Sequence, residues 1–148
     1  MSLSQITAYR MMQGSLNERI SMDKFPYSGI VLTHSYDAAV TDSASSATAY
    51  STGFKTNNGA LGLDQDLNEL ENLTETIDKF GFVSSLISTS EVTHATPAAF
   101  AAHVDLRCKT DLISAQMIDS KVTTIRGGGR FVFTQDEEVG QREEGRNL

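Results

Sequence analysis

Leu73-Thr74-Glu75-Thr76-Ile77-Asp78-Lys79-Phe80-Gly81-Phe82-Val83-Ser84-Ser85-Leu86-Ile87 changes its hydrophobic period at a glycine, and that change decides the fold class. Leu73, Ile77 and Phe80 fall on one face of a helix, Gly81 supplies a left-handed stop, and Phe82 to Ile87 follows as a buried strand. Downstream, Thr96-Pro97 predicts an N-cap leading into an alanine-rich helix from Ala98 to His103. Asp111 to Ser120 predicts an amphipathic helix buried through Leu112, Ala115 and Ile118, and Val122 to Ile125 a strand ending in a turn at Gly127-Gly128-Gly129. Upstream, Ser4 to Gln13 predicts a helix capped by Ser4 and stopped by Gly14, and Gly29 to Thr33 a short strand. Ala44 to Thr52 predicts a small-residue helix closed by Gly53, and Asn57-Asn58-Gly59 a turn opening a loop that runs to Asn68. Strand-like runs alternating with helical ones are the pattern of βαβ units, so the expected class is α/β with a mainly parallel sheet.

The 148 residues are 39% hydrophobic and contain only two prolines, which favours one globular unit over a disordered or multidomain chain. Residues 135–148 depart from this pattern: Asp136, Glu137, Glu138 and then Arg142, Glu143, Glu144 form charge runs expected in a solvated, loop-like tail. Twelve basic and nineteen acidic side chains give a net charge of −7, which argues against a nucleic-acid partner held by phosphate neutralisation. The same total says nothing against a small phosphate, because one arginine and a few bound ions can reverse the potential locally. Cys108 is the one cysteine, so no intrachain disulfide forms. No apolar run reaches transmembrane length, and no signal peptide is visible.

The densest chemical signal is Thr41-Asp42-Ser43-Ala44-Ser45-Ser46-Ala47-Thr48-Ala49-Tyr50, where a serine follows an acidic residue at a helix start. Unpaired amides and the positive dipole end of a helix favour phosphate oxygens there and ease formation of an alkoxide. On spacing alone, however, Asp-Ser at such a position is an N-cap. By the same standard Arg107 is a surface arginine, Thr96 a cap and His94 a polar turn residue.

A longer pattern changes that weighing. Asp42 to Ala49, continuing through Ser51-Thr52-Gly53-Phe54-Lys55-Thr56-Asn57-Asn58-Gly59-Ala60-Leu61-Gly62, resembles the signature of the alkaline phosphatase family and its downstream extension. Thr93-His94-Ala95-Thr96-Pro97-Ala98-Ala99-Phe100, with Ala102-His103-Val104 and Arg107, resembles a second block of that family. Ile125 to Arg130 and Gly145-Arg146-Asn147-Leu148 follow in the same order, so the resemblance covers most of the chain.

The resemblance implies a three-layer α/β/α fold with a mainly parallel central sheet, here as a single partial domain over residues 1–148. It implies that Ser43 is the nucleophile that becomes a phosphoserine, and that Arg107 forks two hydrogen bonds onto nonbridging phosphate oxygens. Asp42 would help aim that arginine. Thr96 would serve a magnesium site, and His94 would be tied to it directly or through water. The implied cofactors are two zinc ions and one magnesium, the substrate a phosphate monoester or inorganic phosphate, and the compartment periplasmic or secreted. His34 and His103 are expected to be structural, Lys55 solvated or structural.

The chain also departs from the family. The resemblance implies an Asp-Gly metal motif ahead of the segment that begins at Leu3, and further zinc ligands beyond Leu148, so neither is expected within these residues. With three histidines in all, the zinc pair is not expected here, and the chain alone is expected to be inactive. The alternative is a noncatalytic phosphate- or protein-binding domain. A partial sheet would expose apolar faces and edges, so a homo-oligomer is a further expectation.

Overall fold

A computed structural model describes residues 3–14, 17 and 19–134. The charged tail and the Gly145 to Leu148 match lie outside them. By its contacts the chain divides into two compact units, Met1–Leu32 and Thr33–Leu148.

In the first unit, helix α1 spans Leu3–Met12, starting one residue ahead of the predicted Ser4 cap, and the chain turns at Gly14 with φ +91°. A short 3-10 turn, Ser21–Lys24, follows, and its Asp23 carboxylate accepts from the Ile20 amide (3.0 Å) and pairs with Arg10. The strand expected at Gly29 to Thr33 does not form. Ile30 is 97% exposed, and no described strand pairs with this segment, so its β-rich composition has no ladder to join.

The second unit is built around α2, Ser43–Thr52, and α4, Ala95–Ala98, which pack against each other. Ala44 and Ala47 on one and Ala95 and Ala98 on the other are all buried, and such small side chains let the backbones approach closely. Leu61, Val92, Val104, Ile113 and Met117 complete that core. Helix α2 starts at an Asp42 N-cap and ends at Gly53 (φ +82°).

Helix α3, Leu73–Asp78, begins with a capping box. The Asn72 side chain accepts from the Thr74 and Glu75 amides, while Glu75 accepts from the Asn72 amide. Its predicted apolar face is not the buried one. Leu73 and Phe80 are exposed, and α3 docks instead through buried Thr74, whose hydroxyl donates to the Phe100 carbonyl at 2.6 Å.

The following strand, β1, is Ser85–Glu91, three residues later than predicted, and it runs parallel to β2, Thr124–Gly128. Side chains alternate across a strand, and the helical core covers one face of this pair. Leu86 therefore packs inward while Ile87 is exposed, together with Phe82 and Val83. Gly127 and Gly128 belong to β2 itself. A Cβ on Gly127 would meet Val92 Cγ1 at 2.6 Å, so glycine permits the close approach, and only Gly129 (φ +93°) makes the turn.

Two more helices differ in detail from the sequence expectation. Helix α4 has His94, not Thr96, at its N-cap position, without a side-chain capping bond, and is one turn long. Pro97 sits in its first turn, where a missing N–H costs nothing. Helix α5, Thr110–Asp119, buries Ile113, Ser114 and Met117, leaving Leu112 and Ile118 about half exposed, because the core lies one residue around the helix from the predicted face.

Candidate active site

Asp42 caps α2 with Oδ1, which accepts from the Ser45 amide (2.9 Å) and the Ser45 hydroxyl (3.1 Å). This leaves Ser43 as the first helical residue, half-buried, beside the unpaired amides of the first turn. Arg107 reaches the same point from the segment paired with residues 59–62. Its Nη1 donates to Ser43 Oγ and lies 3.5 Å from Asp42 Oδ2, with both charged side chains less than a third exposed. A hydroxyl, a guanidinium and a carboxylate thus converge.

Asn58 ties the cluster together. Its Oδ1 accepts from the Asp42 amide and from the Ser45 hydroxyl, both at 2.9 Å, and its Nδ2 donates to the Val40 carbonyl at 3.0 Å. Its own amide donates to Asp37 Oδ1. The next residue, Gly59, accepts from the Arg107 amide at 2.8 Å. The sequence marks Asn58 only as a turn residue. Its place in an Asn-Gly turn was the available signal, since asparagine side chains in turns hydrogen-bond to nearby backbone.

Burial of Asp42 works against its charged form. The amides of Ser45 and Gly59, the Ser45 hydroxyl and Arg107 outweigh that effect and hold the carboxyl below its ordinary range. The acid is therefore ionised across neutral pH, as a partner for a guanidinium must be.

His94 and Thr96 are both exposed, on the cap and first turn of α4, and neither joins this hydrogen-bonded cluster among the described residues. Together with Leu86, Ile87, Ser88, Ser90, Pro97 and Phe100 they line an open cleft. No group of three or more His, Cys, Asp or Glu among the described residues is arranged to hold an ion. His34 lies with Nδ1 2.9 Å from the Ser35 carbonyl, and the ring of His103 is engaged by Gly62 and Glu75. Lys55 donates to the His34 carbonyl, and Cys108 is a free, exposed thiol.

The alkaline phosphatase family model matches residues 1–148. Alkaline phosphatase 4 of Bacillus subtilis is 32% identical over 93% of this chain and 32% of its own length. The repressible alkaline phosphatase of Saccharomyces cerevisiae is 34% identical over 90% of this chain and 25% of its own. Among solved structures, the alkaline phosphatase of the Antarctic bacterium TAB5 superposes with a TM-score of 0.85 at 33% identity, covering 94% of this chain and 40% of that one. A mutant of that enzyme with Mg bound in its M3 site superposes with a TM-score of 0.80. The chain spans about a third or less of the curated relatives named here.

Proposed function

The chain belongs to the alkaline phosphatase family, and from that premise we propose that it supplies the phosphoryl-accepting centre of a phosphate monoester hydrolase. The observation that carries this reading is the donation from Arg107 to Ser43 Oγ at the N-terminus of α2.

On arrival of a phosphate monoester, Arg107 exchanges its bond to Ser43 for two bonds to nonbridging oxygens, a geometry its planar fork provides and a lysine does not. Asp42 keeps the fork aimed, and the first-turn amides of α2 favour the remaining negative charge. Ser43 Oγ then forms a bond to phosphorus in line with the departing oxygen, whose P–O bond breaks. The hydroxyl proton passes to solvent and the alcohol leaves with a proton from solvent. Water attacks the phosphoserine opposite Oγ, returning the serine and releasing inorganic phosphate.

A serine hydroxyl is a poor nucleophile at neutral pH, and two zinc ions and a magnesium are the family's implied means of activating it. The described residues hold no complete donor set for them, so the reading extends to inactivity of the chain alone. By the same premise we assign its work to the periplasm or the cell exterior. The exposed Phe80, Phe82, Val83 and Ile87 support self-association of copies, and light scattering that shows only monomer over a wide concentration range would refute that part.

Two measurements test the centre. Titration of the chain with inorganic phosphate, followed by NMR, is expected to move the Ser43 and Ala44 amides, and Arg107→Ala to abolish the shifts. Hydrolysis of p-nitrophenyl phosphate with added zinc and magnesium is expected to match that of Ser43→Ala. A serine-dependent rate would overturn the claim of incompleteness, and unmoved α2 amides would overturn the site.

A further inference from the structure

Both ring nitrogens of His103 face oxygens that only accept. Nδ1 lies 2.9 Å from the Gly62 carbonyl and Nε2 lies 3.0 Å from Glu75 Oε1. The other Glu75 oxygen is already engaged by the Asn72 amide, so the carboxylate is fixed in place. A neutral imidazole carries one N–H and would set its bare nitrogen against an acceptor. The imidazolium satisfies both contacts, and the side chain is only 13% exposed, so water gives little relief to a mismatched nitrogen.

The bond to Gly62 closes a zipper. Leu61 and Val104 exchange backbone hydrogen bonds at 2.8 and 2.9 Å, and the Arg107 amide donates to Gly59. His103–Gly62, Val104–Leu61 and Arg107–Gly59 are thus three successive links between the same two segments. The first of those segments also grips α2: the Gly62 amide donates to Thr48 Oγ1 at 3.0 Å, and Asn58 holds Asp42 and Ser45. Whatever fixes Gly62 to His103 therefore fixes the segment carrying Arg107 to the helix carrying Ser43.

We propose that His103 is a positioning residue whose imidazolium clasps Gly62 and Glu75 and so holds the guanidinium of Arg107 in register with Ser43. Loss of its proton opens one arm of the clasp. Burial disfavours the charged ring, but the Gly62 carbonyl, the Glu75 carboxylate and the charge of Glu69 outweigh it and raise its pKa above the ordinary histidine value. Glu75 of α3 and Glu69 of the preceding loop are the charged groups acting on the ring. Helix α5 offers the uncharged Gln116, which bonds to the His103 backbone. A raised value means that the clasp is complete below the ordinary pKa of about 6.5 and is lost as pH rises through the higher, folded-state value.

The functional meaning rests on the proposed phosphate centre; the test does not. In the full 15N-labelled chain, imidazole spectra are expected to show both His103 nitrogens protonated below the ordinary histidine pKa and the ring titrating above that value. Amide-exchange protection of Arg107 and Leu61, corrected for intrinsic rates, is expected to fall about tenfold through the same midpoint, as for loss of one charged hydrogen bond. Glu75→Gln, which keeps the side-chain shape, is expected to lower both midpoints together. A His103 that titrates at or below the ordinary histidine value, or Arg107 protection indifferent to its titration, would overturn the proposal. Phosphate-induced shifts missing while the coupled titration persists would refute the phosphate centre and leave the clasp standing.

Discussion

Arg107 and Asp42 stand 65 residues apart in sequence, yet one guanidinium nitrogen lies 3.5 Å from the carboxylate and donates to the adjacent serine hydroxyl. Asp42 does two jobs through its two oxygens, one capping α2 and the other facing Arg107. Replacement should separate them. Asp42→Ala is expected to lose about 1 kcal/mol in urea unfolding, the usual worth of an N-cap. Asp42→Asn keeps a capping oxygen and is expected to stay within about 0.5 kcal/mol of the parent, while still weakening the phosphate-induced shifts.

The depressed pKa of Asp42 sets a pH dependence. Its contribution is present above the unfolded carboxylate value of about 3.9 and is lost as pH falls through the lower, folded-state value. Unfolding midpoints of the parent measured downward from pH 5 should therefore fall more steeply than those of Asp42→Asn.

Asn58 spends both ends of its amide on the site. Asn58→Ala removes bonds to Asp42, Ser45 and Val40 and is expected to cost about 2 to 3 kcal/mol by denaturant unfolding. Asn58→Asp keeps the accepting oxygen but loses the donation to Val40 and adds charge beside Asp37 and Asp42, so it should not rescue stability.

Two glycines with positive φ make a controlled pair. A Cβ on Gly62 (φ +64°) would meet His103 Nδ1 at 2.5 Å and the Ala102 carbonyl at 2.6 Å, whereas one on Gly53 (φ +82°) meets nothing within 4 Å. Gly53→Ala carries only the backbone strain of about 1 kcal/mol. Gly62→Ala is expected to cost at least about 2 kcal/mol more, read as a difference in urea midpoints at equal slope.

The buried face of α5 is tested in the same way. Ile113→Ala empties a fully buried position and is expected to cost about 2 to 4 kcal/mol, while Ile118→Ala, at a residue 48% exposed, should cost less than about 1 kcal/mol. Equal losses would place the core on the wrong side of the helix.

Much of the local structure was legible in advance because its causes lie within one turn of chain. Asp42 caps with its own side chain, Gly14, Gly53 and Gly81 take the left-handed conformation that ends a helix, and α2, α3 and α5 form within a few residues of their expected limits. The faces were less legible. Leu73, Phe80, Leu112 and Ile118 have the right spacing for burial, but which stripe is covered depends on what packs there, and the two-stranded sheet and short α4 cover others. The segment from Gly29 to Thr33 has a strand's composition with no strand beside it.

The sequence by itself determined the chemistry on offer: a serine at a helix start, an acidic cap before it and an arginine. Only the tertiary structure decided that Ser43, Asp42 and Arg107 meet, that Asn58 holds Asp42 and Ser45, and that His103 faces two acceptors at once. The division has a physical basis. A cap or a glycine stop is a short-range hydrogen-bond and steric preference written into neighbouring residues, whereas contacts across 65 residues exist only after the core has fixed where each segment runs.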